Sequence, residues 1–85
     1  MDNTNLFKIS DINNALVSST IVDVYNSLNE RGYNANSQII GYLITGDPGY
    51  ITSFQGARNK ITSIDREKIL ETVLEYYVKN NSWNI

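Results

Sequence analysis

The sequence predicts an all-α fold: a small compact helical domain of about four helices with a mobile N-terminal arm, paired as a helical homodimer. Three observations carry this prediction. Apolar residues recur at steps of three and four through two long segments, 11–31 and 65–79. Glycines and capping side chains punctuate the chain where helices would stop and start. The apolar stripes are also wide for 85 residues, a length at which folding buries only about 60% of the unfolded surface, so a second copy is expected to cover the remainder.

Residues 1–10 hold Leu6, Phe7 and Ile9 in a polar context without helical spacing and are read as the arm; residues 11–85 form the helical domain. In 11–31 the stripe is Ile12, Leu16, Val17, Ile21, Val24, Tyr25 and Leu28, and the run Ser18-Ser19-Thr20 is its weak point, able to shorten or bend the helix. Gly32 then supplies a left-handed stop, with Tyr33 placed to pack back on Leu28. Segment 37–45, with Asn36 or Ser37 as N-cap, carries a nearly continuous apolar run that fits a short helix or a strand; the end signals favour helix. Gly46, Asp47, Pro48 and Gly49 make a structural turn: Asp accepts local backbone bonds, Pro fixes φ, and Gly49 is expected to take positive φ. A weaker helix is predicted over 53–61, interrupted by Gly56, and a strong one over 65–79 with Ile69, Leu70, Val73, Leu74, Tyr77 and Val78 on its apolar stripe. Glu67, Glu71 and Glu75 line its outer face, where Glu75 can pair with Lys79. Among the six tyrosines, Tyr25, Tyr42 and Tyr77 follow the stripes and are expected in the core. The last residues, with Trp83 and Ile85, dock or fray.

Composition removes much chemistry. The chain has no cysteine and no histidine, so thiolate nucleophiles, disulfides, imidazole relays and the commonest transition-metal ligands are excluded. No catalytic residue, no metal and no cofactor is expected. A net charge of −2 argues against nucleic acid as a partner. No apolar run approaches the roughly 18 residues of a membrane span, and the start lacks the pattern of an export signal, so the expected compartment is the cytoplasm.

Among candidate sites, Gly46-Asp47-Pro48-Gly49-Tyr50 lacks the Gly-Lys-Ser/Thr ending of a phosphate loop and reads as helix stop and turn. Carboxylates on a charged helix face have neither the burial nor the like-charged neighbour that a catalytic acid requires. Arg58, Lys60, Arg66 and Lys68 form the one cationic stretch; composition alone favours a solvated surface balanced by Asp65 and Glu67, with an anion-recognition patch as the functional alternative. Thr4 and Ser10 offer hydroxyls to a kinase within the arm, and phosphate there would add about −1.5 to −2 charge.

The blocks Val24-Tyr25-x-Ser27-Leu28, Gly32-Tyr33-Asn34, Gln38-Ile39-x-Gly41-Tyr42, Gly46-Asp47-Pro48-x-Tyr50-Ile51 and Ala57-Arg58-x-x-Ile61, in unbroken register, resemble the IreB/ReoM family of small Firmicute regulatory phosphoproteins. The resemblance implies an all-helical dimer without enzymatic activity. It implies a substrate of a PASTA-domain Ser/Thr kinase and its cognate phosphatase, acting on cell-wall precursor synthesis and cephalosporin tolerance. The implied partners are the Clp protease machinery and the first committed enzyme of peptidoglycan synthesis. Thr4, in Thr4-Asn5-Leu6-Phe7, matches the family's phosphoacceptor pattern, and Arg58 and Arg66 match arginines that members of the family require for activity; both are expected to bind a partner. Ala35, Gly49 and Ser53 stand where the family usually has proline, alanine and often arginine. The alternatives are a small helical nucleic-acid-binding regulator, which needs a basic recognition helix, and a nucleotide-binding module, which needs a cleft near Asp47.

Overall fold

A computed structural model describes residues 9–81 as four α-helices: α1 (Ile9–Glu30), α2 (Ala35–Thr45), α3 (Ala57–Thr62) and α4 (Arg66–Asn80). Single 3-10 turns at Pro48–Tyr50 and Phe54–Gly56 lie between α2 and α3, and there is no strand among the described residues, as the all-α expectation requires. Thr4 and most of the expected arm lie outside the described residues, as do Trp83 and Ile85. Helix α1 starts at Ile9, so Ser10, assigned to the arm by sequence, stands in its first turn.

The hydroxyls of Ser18-Ser19-Thr20 do not interrupt α1. Ser19 and Thr20 donate to the Leu16 carbonyl at 3.1 and 2.9 Å, so they bond back into their own helix instead of competing with it. The predicted stop is present: Gly32 has φ +90°, its N–H donates to the Asn29 carbonyl, and the Tyr33 N–H donates to the Leu28 carbonyl, both at 2.9 Å. These are the paired bonds of a Schellman motif.

Helix α2 begins two residues earlier than the sequence suggests. Its cap is Asn34, whose Oδ1 accepts from the Ser37 N–H at 3.0 Å, not Asn36 or Ser37. All three are good capping residues; what selects Asn34 is Ala35, which is buried and therefore belongs to the packed first turn. Asn34→Ala is expected to lower stability by about 1 kcal/mol, measurable by chemical denaturation. The ambiguous apolar run resolves as helix, with Ile39 and Tyr42 inside and Ile40 and Ile44 outside.

One core joins Val17, Val24 and Leu28 of α1 to Ala35, Ile39 and Tyr42 of α2, Ile51 of the connection, Ala57 and Ile61 of α3, and Ile69 of α4. Helix α1 contacts each of the other three helices. An exposed Lys60–Asp23 ion pair at 2.8 Å adds a further tie between α3 and α1, of the modest strength usual for such pairs.

Three expectations about burial need correction. Leu16 and Tyr25 face outward although they lie in the predicted α1 stripe, and Tyr77 is exposed; only Tyr42 of the three expected core tyrosines is buried. The predicted α4 stripe is mostly outside: Leu70, Val73, Leu74 and Val78 are exposed, and only Ile69 and Thr72 are buried. The physical reason is that α4 packs chiefly on α1, so one edge of its apolar surface is covered by the described residues and the rest is not.

Candidate functional site

The site is built on the connection between α2 and α3. Helix α2 ends where Gly46 takes φ +76° and donates its N–H to the Tyr42 carbonyl at 2.7 Å. The chain then turns sharply: Asp47 caps the 3-10 turn, its Oδ1 accepting from the Gly49 N–H at 2.8 Å, with Pro48 at the turn's first position. The four-residue turn is therefore present, but positive φ belongs to Gly46 and not to Gly49. Gly46 must close a helix, whereas Gly49 continues a right-handed turn that Asp47 has already capped.

Every backbone N–H from Gly46 to Thr52 finds a partner, Pro48 having none to offer. Asp47 donates to the Thr45 hydroxyl at 3.1 Å, Tyr50 to the Asp47 carbonyl at 3.2 Å, Ile51 to the Pro48 carbonyl at 3.0 Å, and Thr52 to the Gln38 side-chain oxygen at 2.9 Å. Ile51 is completely buried, while Asp47, Pro48, Gly49 and Tyr50 form an exposed crest. The Tyr50 ring lies against Gly41 of α2; a Cβ there would collide with Tyr50 Cδ1, so α2 needs glycine for the ring to seat.

The four cations of the predicted patch divide into two kinds. Lys60 pairs with Asp23, and Lys68 approaches Glu71 at 3.8 Å. Arg58 and Arg66 turn to backbone instead. Arg58 Nε donates to the Ile51 carbonyl at 2.7 Å, and Arg66 Nη1 donates to the Leu43 carbonyl at 3.0 Å. The Leu43 carbonyl is in the last turn of α2, where acceptors lack intrahelical partners and a positive charge offsets the negative end of the dipole. Helix α2 has no basic residue of its own in that turn. The Arg66 guanidinium also lies over Gly46, where a Cβ would meet Arg66 Cζ at 2.9 Å.

Sequence reasoning missed these attachments. One signal was available: Arg66 is the first residue of α4, a position where the helix dipole disfavours a cation and a tertiary role becomes the better explanation. Nearby, Arg31 stacks over Phe54 at 5.0 Å from the ring centre, and Gln55 takes φ +52°. That region of backbone is costly for a residue with a side chain and is usually maintained by its surroundings.

A second surface lies where α1 meets α4. Ser18, Ile21, Val22, Thr72, Val73 and Tyr76 line an open groove of about 280 Å³, and Leu70, Leu74 and Val78 of α4 are also exposed. Among the described residues, no group of three or more acidic, histidine or cysteine side chains is placed to hold a metal, and no helix is long and apolar enough to cross a membrane.

The family model for the IreB regulatory phosphoprotein matches residues 2–79. The chain therefore belongs to that family.

Proposed function

We propose that this IreB-family chain is a non-enzymatic regulator switched by phosphorylation of Thr4. In this reading a PASTA-domain Ser/Thr kinase adds the phosphate in the cytoplasm and a cognate phosphatase removes it. The output is control of cell-wall precursor synthesis and cephalosporin tolerance in a Firmicute cell, through partner binding and regulated proteolysis. The observation that carries the proposal is the family match, which begins at residue 2 and so includes the Thr4-Asn5-Leu6-Phe7 pattern. The Clp machinery and the first committed enzyme of peptidoglycan synthesis are the proposed partners.

The physical basis is electrostatic. Phosphate on Thr4 adds about −1.5 to −2 charge, a large change for a chain whose net charge is −2. The surface that carries Arg58 and Arg66 is the proposed point of partner contact, and a phosphorylated arm alters it by attraction to these cations or by repelling an acidic partner. Two copies are proposed to pair through the exposed apolar residues that line the α1–α4 groove, Val22, Val73 and Tyr76. A nucleic-acid role is the weaker reading because the acidic balance of the chain opposes phosphate binding.

Incubation with the cognate kinase, followed by mass spectrometry, tests the switch. Label is expected on Thr4 and is expected to vanish in Thr4→Ala. Label confined to Ser10, or none at all, rejects the assignment.

A further inference from the structure

We infer that Arg58 and Arg66 are positioning residues that clasp the two ends of the 46–52 loop, and that the exposed crest of this loop is what a protein partner touches. Arg66 holds the loop where it leaves α2, through the Leu43 carbonyl and the face of Gly46, and Arg58 holds it where it enters the core, through the Ile51 carbonyl. Between these points the loop is bonded at every available N–H, and its Tyr50 ring is seated on Gly41.

Such complete internal bonding is unusual for a surface connection, which ordinarily leaves backbone groups to water. Its effect is to fix Asp47, Pro48, Gly49 and Tyr50 in one arrangement while leaving them accessible. A prearranged loop loses little conformational entropy when a partner docks. The crest offers an acidic group, a proline face and a half-exposed phenol, and the partner surface that fits it supplies hydrogen-bond donors beside an aromatic-sized hollow. The crest carries a single carboxylate, Asp47, and both arginines hold the loop through donation to carbonyls, a use in which the shape of the guanidinium matters as well as its charge.

The inference deepens the regulatory reading and depends on it only for its cellular consequence, so the two are tested separately. Amide hydrogen exchange on the isolated full-length protein tests the clasp. In Arg58→Lys and Arg66→Lys, which retain charge but lose the guanidinium, exchange at Gly49, Tyr50 and Ile51 is expected to speed by about tenfold while the core amides of α1 remain protected. Unchanged loop exchange overturns the clasp. The crest is tested in cells lacking the chromosomal gene and supplied with each variant, with cephalosporin tolerance and the level of the first committed peptidoglycan enzyme as readouts. Gly41→Ala is the discriminating variant: it favours the α2 helix and leaves both arginines in place, yet displaces Tyr50. Loss of regulation in Gly41→Ala and in both lysine variants is expected. Wild-type behaviour of Gly41→Ala, or full rescue by lysine, would place partner contact on the arginine charges and refute the crest. Failure of the wild-type gene to change either readout rejects the regulatory reading and the crest's role within it, and the exchange result still decides the clasp.

Discussion

Leu28→Ala lowers the stability of the domain by about 3 kcal/mol, the middle of the range for emptying a buried leucine site. Leu28 is 0% exposed and lies in the core shared by all four helices. Its carbonyl bond to Tyr33 is made by backbone and survives the substitution, so the loss is one of side-chain packing. Domains of this length have total stabilities of only about 4–13 kcal/mol, and each kcal/mol moves the melting temperature by about 4–8 °C. A fall of roughly 15 °C in a thermal melt followed by circular dichroism is therefore expected. The contrasting variant is Leu16→Ala. Leu16 is 61% exposed although it lies in the same sequence stripe, and its replacement is expected to change stability by no more than about 0.5 kcal/mol. Comparable losses in both variants at one protein concentration would contradict the packing of α1.

Val73→Glu is expected to weaken the proposed self-association by about a hundredfold, or about 2.7 kcal/mol. Val73 is 49% exposed and lies beside Val22 and Tyr76 in the α1–α4 groove. In a two-fold interface the substitution occurs twice, placing carboxylates where apolar surface should be covered. Because the valine is half outside the chain's own core, the variant should retain its helical spectrum. Sedimentation at micromolar concentrations is the measurement: a wild-type dimer against a mostly monomeric variant supports pairing through this face. Identical sedimentation of the two proteins argues against it.

The elements were legible in the sequence wherever a local signal was decisive. Gly32 and Gly46 mark helix ends because left-handed backbone is inexpensive only for glycine; Asp65, read as the first residue of the last helix, is instead its N-cap and accepts from the Glu67 N–H. Burial was less legible. A helical stripe identifies which residues share a face, but not whether another element reaches that face, and on α4 most of it remains uncovered. The candidate site was legible as a set of names and not as a mechanism. Arg58 and Arg66 are close in sequence, which suggests a charge patch, yet their bonds go to the carbonyls of Ile51 and Leu43, and no local pattern reveals such a pairing.

The central place of α1 also bears on how the molecule comes apart. The remaining helices each lean on it, and it is the first of the described elements. Traction that unwinds α1 from Ile9 would withdraw the common support of the other three helices. Traction from the Asn80 side first detaches α4, which takes Ile69 from the core and releases the Leu43 carbonyl but leaves α1 in contact with α2 and α3. The same polypeptide thus offers unequal resistance to a processive unfoldase depending on which terminus is seized.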